Sequence, residues 1–183
     1  MPVRIPVAVL VLVVGVTLGV VAVATLSSPH PVARLADPSR APAPREAGAA
    51  ERYAVAVLHD WDARRADAWA RGDPTALSRL YASGSSAGIA DGRLLQRYRA
   101  RGLVVRGLRM QVLRARVVVS RPDRLELEVT DRLSAATAVR VDDDAVGRRL
   151  PVDRPSTHEL VLRRVDGSWL MVSVSTRPGS GRR

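Results

Sequence analysis

Few side chains in this sequence combine the type and the placement that chemistry requires. Asp131 is the sharpest of them. It follows Leu125, Leu127 and Val129 at alternate positions, so in an extended strand it shares their inward face. A carboxylate carried into an apolar interior gains proton affinity and can act as a general base. Tyr81 and Tyr98 could donate hydrogen bonds into the same interior, and His158 alternates with Leu160 and Leu162. Each has a plainer alternative. Core tyrosines with a satisfied hydroxyl are common, and His158 fits a core or rim position. With 29 arginines in the chain, Asp131 is expected to pair with an arginine or to sit solvated at a rim, with no tyrosine hydroxyl sharing its cavity.

A second group of residues could bind anions. Between Asp91 and Asp123 there is no acid, but there are nine arginines, among them Arg93, Arg97, Arg101, Arg106 and Arg109. Arg93, Arg97 and Arg101 fall on one helical stripe. Two readings stay open: phosphate binding, to lipid or nucleic acid, or a solvated face. The second has a compositional cause. Every cationic side chain is Arg, there is no Lys, Asn or Phe, and only Ile5 and Ile89 represent Ile. That pattern fits a GC-rich genome. The formal net charge of +11 still creates a field that attracts polyanions. Nucleic acid is disfavoured because aromatic stacking platforms are missing.

Other chemistries find no motif. There is no H-E-x-x-H, P-loop, dinucleotide glycine motif or nucleophile elbow. Asp142-Asp143-Asp144 lacks the alternation of a calcium loop. No metal and no cofactor is expected. Zero cysteine excludes both a disulfide framework and an acylated lipoprotein.

The elements that must hold these residues follow from periodicity. Ile5 to Leu26 is an uncharged apolar run, long enough for a spanning helix of roughly 20 residues. A cleaved signal, with Arg4 as its charged region and Ala22-Val23-Ala24 as cleavage site, is the alternative. The anchor is favoured because the apolar run exceeds the usual signal core. The expected topology is a single-pass protein of the cell membrane, with its C-terminal domain extracytoplasmic. Residues 27–48, rich in proline, form a linker. The domain covers residues 49–176, and 177–183 form a disordered tail.

Within the domain, Val57, Leu58, Trp61, Ala68 and Trp69 predict a helix over Ala49–Arg71. Gly72, Asp73 and Pro74 supply a C′ residue, an N-cap and a first helical position. Further helices are predicted over Pro74–Ala82 and Asp91–Arg101, separated by a Ser83–Ala90 loop. Then the period becomes two. Strands are predicted over Leu103–Ser120, with a bulge at Gly107, and over Arg124–Arg140. Antiparallel pairing across the intervening turn sets Arg114 and Arg116 against Glu128 and Glu126. Val141–Pro155 is a loop, and Ser156–Val165 and Ser168–Ser175 form a hairpin about Asp166-Gly167. The fold class is α+β: an N-terminal transmembrane helix, then three helices on a curved antiparallel sheet of about four strands, shaped as a cone.

Trp61 to Ala82, WDARRADAWARGDPTALSRLYA, and Val165 to Val172, VDGSWLMV, resemble the opening and the last hairpin of the nuclear transport factor 2-like superfamily. The likeness extends to its membrane-anchored actinobacterial type. The resemblance covers most of residues 49–176 and rests on packing and capping residues. It implies the cone fold and admits ketosteroid-isomerase-like and polyketide-cyclase-like enzymes as well as binding modules, so it does not select a function. No family catalytic motif maps onto this chain. The expectation is a membrane-tethered, non-catalytic binding domain of an envelope-associated assembly; a ketosteroid-isomerase-like isomerase or lyase acting on a small apolar substrate is the rival. The expected partners are the membrane through residues 5–26, a protein of the envelope, anionic lipid headgroups and a second copy of the chain.

Overall fold

The structure, a computed structural model, describes residues 44–143 and 147–176. The expected anchor, most of the linker and the tail lie outside the described residues. Among the described residues no helix is long and apolar enough to cross a membrane.

Helix α1 spans Pro44–Arg71, starting five residues before the predicted Ala49. Pro44 occupies its first position, where a missing N–H leaves no hydrogen bond unmade. At the far end the chain turns as its residue types dictate. Gly72 takes φ +63°, and the Gly72 and Asp73 amides bond back to the Trp69 and Ala68 carbonyls. The Asp73 carboxylate accepts from the Thr75 and Ala76 amides and caps α2, Pro74–Ser78.

Helix α2 is shorter than predicted because a strand captures its C-terminal end. The Met171 amide bonds to the Leu80 carbonyl and the Ala82 amide to the Met171 carbonyl, so Tyr81 bridges to the sheet and leaves the helix. Helix α3 spans Ser86–Arg99, not Asp91–Arg101. The Ser85 hydroxyl caps it by accepting from the Gly88 amide. The Gly/Ser composition that suggested a loop has a packing cause at Gly88: a Cβ there would lie 2.6 Å from Tyr81 Cγ.

Strands β1 (Leu103–Ser120) and β2 (Arg124–Arg140) form a long antiparallel pair. Gly107, at φ +63°, marks a register shift between Arg106 and Arg109 as expected. The predicted charge pairing is corrected by the register of the turn, which sets Ser120 opposite Leu125, and by a further shift between Val117 and Val119. Arg116, not Arg114, stands opposite Glu128, with Nη2 3.2 Å from Oε2, while Arg114 faces Thr130 and Val119 faces Glu126.

A short strand, β3 (Gly147–Arg149), lies inside the predicted loop and pairs with the C-terminal half of β2. The N-terminal half of β2 pairs with β4 (Ser156–Val165), which pairs with β5 (Ser168–Thr176). Asp166 and Gly167 adopt φ 48° and 80°, as a tight hairpin turn requires. The result is an open, curved antiparallel sheet of five strands, order β1-β2-β4-β5 with β3 alongside β2. Trp61, Trp69, Leu77, Leu95, Leu125, Leu127, Leu162 and Met171 fill the space between helices and sheet.

Candidate functional site

Two constellations of polar side chains enter the interior, and their surroundings differ. The first lies among the helices. Leu58, Trp61, Arg65, Ala68 and Trp69 share one face of α1, and Asp91, Leu95 and Tyr98 share one face of α3. Arg65 and Asp91, 4% and 7% exposed, therefore meet inside. Arg65 Nε donates to Asp91 Oδ2 at 2.7 Å and Nη2 to Oδ1 at 2.6 Å, a bidentate pair. The Tyr81 hydroxyl donates to Asp91 Oδ2 at 2.7 Å, and its ring meets Trp61 edge-on at 5.3 Å. Burial works against both charges. The attraction of Arg65 and its hydrogen bonds nevertheless hold the Asp91 carboxyl below the usual carboxylate range. The Trp69 indole N–H adds to these donors without reaching ordinary hydrogen-bond geometry. Burial alone would push Arg65 down, but Asp91 and Tyr81 outweigh it and hold the guanidinium charged. The Tyr81 phenol is pushed up, first by burial, and stays protonated.

The second constellation lies where β2 and β4 meet. Asp131 stands opposite Ser156 across the β2–β4 ladder. His158, two residues on, projects from the same face as Ser156. Its Nε2 lies 2.8 Å from Ser156 Oγ and 3.5 Å from Asp131 Oδ1; its Nδ1 lies 3.2 Å from Thr176 Oγ1. The Asp153 amide bonds to the Leu133 carbonyl, which fixes that acidic side chain beside the strand. Asp131, Asp153, Ser156 and His158, together with Met110, Arg132, Leu133 and Arg154, line an open-sided pocket of about 210 Å³.

Electrostatics separates this pocket from the first constellation. Burial, the charge of Asp62 on α1 and that of Asp153 push Asp131 up to about 7, and Arg65 offsets this only in part. Asp62 rises to about 6, by burial, against the pull of Arg65. Burial raises Asp153 and lowers His158. A depressed imidazole beside a raised carboxyl is not an ion pair at neutral pH, and 3.5 Å is too long for a hydrogen bond. The pair is a polar contact poised to accept or share a proton.

The expectation for Asp131 is therefore corrected in one respect. Among the described residues it forms no ion pair with an arginine, and its side chain, 13% exposed, lines the open-sided pocket. The neighbouring Arg132 turns away to Gln111, with Nε 2.9 Å from Oε1. Among the described residues the buried guanidinium is that of Arg65, and it is given to Asp91. The other part of the expectation agrees with the geometry, since neither Tyr81 nor Tyr98 lines the pocket. Tyr98 packs edge-on against Trp69 at 5.7 Å, and His158 is a buried pocket residue.

Arg65, Asp62, Asp91 and Asp153 were not singled out from sequence. Three of them carried a readable signal. Asp62 and Arg65 interrupt the apolar stripe of α1, and Asp91 lies one turn from Leu95 on the buried face of α3. Charged residues inside an apolar stripe ask for a partner. Asp153 carried none, because a loop hydrogen bond places it.

The anion-site candidates Arg93, Arg97, Arg101, Arg106 and Arg109 are all exposed. Arg93 and Arg97 lie on the α3 face opposite Asp91, Leu95 and Tyr98, and Arg101 and Arg97 flank the Tyr98 phenol closely enough to act on its charge. Arg106 and Arg109 lie on β1, the strand that follows. Among the described residues, no group of three histidine or acidic side chains could hold a metal ion.

No protein-family model matches the sequence, and a search of curated proteins returns no match. Solved structures show likenesses of shape. The intermembrane space region of the chloroplast protein ARC6 is similar at 16% identity over 69% of this chain and 95% of its own, with a TM-score of 0.49. Aln2 from a Streptomyces species is similar at 14% identity over 75% and 93%, TM-score 0.45. A nuclear transport factor 2-like family protein from Streptomyces avermitilis is similar at 16% identity over 72% and 99%, TM-score 0.42. At these values no activity passes from them to this chain.

Proposed function

We propose that this chain is a membrane-tethered, non-catalytic binding module of an envelope-associated assembly, of the nuclear transport factor 2-like type. Residues 5–26 anchor it, and its α+β domain works on the extracytoplasmic side. The observation that carries the reading is the filled interior. Trp61 and Trp69, 5% and 1% exposed, occupy the space between helices and sheet together with leucines. The pocket at Asp131 and His158 measures about 210 Å³, small beside the roughly 300–1,000 Å³ of ordinary ligand sites. The tyrosine closest to a catalytic type, Tyr81, is committed to Asp91.

The isomerase or lyase reading keeps one observation in its favour: Asp131 lines the pocket without an arginine ion pair among the described residues, and its proton affinity is raised to near neutrality. Such a base also needs a donor aimed at a developing oxyanion. His158 already meets Ser156 and Thr176. The test is proton exchange. Full-length protein incubated with small β,γ-unsaturated ketones in deuterated buffer is expected to give no deuterium incorporation above buffer. Incorporation that Asp131→Asn abolishes would replace the module with the enzyme. Carbonate extraction tests the tether: the chain should stay with the membrane, and a soluble form starting at Thr25 would show a cleaved signal.

A further inference from the structure

The outward arginines of α3 and of the turn after it form a basic surface that the pocket does not use. Arg93, Arg97 and Arg101 are exposed, and none of their guanidinium groups takes part in an ion pair or hydrogen bond among the described residues. Of the acids in neighbouring segments, Asp67 pairs with Arg71, and Asp142 with Arg140 at 3.0 Å. Residues 92–122 contribute no negative charge of their own. By contrast, on the outer face of the same sheet Arg116 meets Glu128 and Arg124 meets Glu126. Composition bias explains why arginines are numerous. It does not explain why no acid accompanies the nine arginines of this segment.

The position of this surface relative to the tether identifies what it can reach. Trp69 contacts Tyr98, and Arg99 lies over Gly72, so the C-terminal end of α3 sits at the C-terminal end of α1. The tether joins the other end of α1, which is 28 residues and so about 42 Å long. Residues 27–43, as an extended proline-rich chain, span up to about 50 Å. The tether is therefore long enough for the domain to lie down and bring the distal arginines to the bilayer.

We propose that Arg93 and Arg97 of α3, continued by Arg101 in the turn that follows the helix, dock the domain onto the anionic phospholipid headgroups of the membrane that anchors it. This rests on the tethered-module reading and adds an orientation to it: α1 lies along the surface, with the α3–β1 junction against the lipid. Guanidinium forks suit phosphate oxygens, and clustered arginines near an anionic surface each contribute about a fivefold gain in binding.

The chain has no cysteine, so Gln96→Cys gives one labelling site beside the stripe. Full-length protein carrying a fluorophore there is reconstituted in bilayers of phosphatidylcholine with or without phosphatidylglycerol, with headgroup spin labels as quenchers. Quenching is expected with phosphatidylglycerol, falling at least about fivefold without it, at raised salt, and in an Arg93→Glu/Arg97→Glu/Arg101→Glu variant. An Arg121→Glu/Arg163→Glu/Arg164→Glu variant, with the same charge change elsewhere, should quench like the parent. Equal quenching in neutral bilayers, or an equal loss in both variants, overturns the proposal. So does a silent label that responds instead to a short DNA duplex. Carbonate extraction of the same samples reads the anchor separately. A chain that washes off while the label still senses headgroups refutes the tether alone, and a retained chain with a silent label refutes the docking surface alone.

Discussion

Asp91 and Asp131 are both carboxylates drawn inside an arginine-rich domain, one among the helices and one on the sheet, and they have opposite environments. Asp91 receives a bidentate guanidinium and a phenol, and its charge is held. Asp131 receives a neutral imidazole at 3.5 Å and the repulsion of Asp62 and Asp153, and its charge is resisted. An abundance of arginine in the sequence does not mean every buried acid finds one. The helix stripe delivers Arg65 to α3, whereas the arginine beside Asp131 in sequence, Arg132, is turned to the other face by strand alternation. A fully matched carboxylate organises a core. An unmatched one at an open pocket is the candidate for binding or proton exchange.

The largest effect should come from breaking the matched pair. Asp91→Ala leaves the Arg65 guanidinium buried and unpaired, and should cost about 3–5 kcal/mol in urea unfolding. Replacing both residues by leucine and methionine should recover most of that loss. A small loss in the single variant would mean that water reaches Arg65 and that the two acids differ less than their burial implies.

Tyr81→Phe removes one hydrogen bond to a charged acceptor and keeps the ring packed on Trp61. It should cost about 1.5–3 kcal/mol in the same unfolding experiment.

Asp131→Asn should act with the opposite sign and depend on pH. Folding raises the Asp131 proton affinity from 3.8 to about 7, so the protonated form favours the fold. That contribution is full below about pH 4 and is lost as pH rises through about 7. Parent and variant should have similar stability at pH 4, and the variant should be more stable by about 1–3 kcal/mol at pH 8. A variant equally stable or less stable at pH 8 would show that Asp131 does have a cationic partner.

The smallest effect belongs to the surface. Arg116→Ala breaks a pair in which the arginine is half-exposed, and should change stability by less than about 1 kcal/mol. A larger loss would show that the outer sheet face is covered in the full assembly.

Much of the fold was legible in particular residues. Gly72, Asp73 and Pro74 fix the first helix junction, Gly107 the bulge, and Asp166-Gly167 the last hairpin, because each type has a local conformational preference that neighbours rarely override. The ends of α2 and α3 were less legible. Competition from Met171 for the backbone of Leu80 and Ala82 shortens one helix, and the Ser85 cap with Tyr81 packed on Gly88 lengthens the other. The site divides in the same way. Strand alternation by itself put Asp131 and His158 on an inward face, because the period of two is a property of the backbone. Only the tertiary structure decided that these two residues meet, that Asp62 and Asp153 join them from a helix and a loop, and that Arg65 goes to Asp91. Those pairings depend on contacts between elements distant in the chain, and no local preference encodes which buried acid a buried cation will reach.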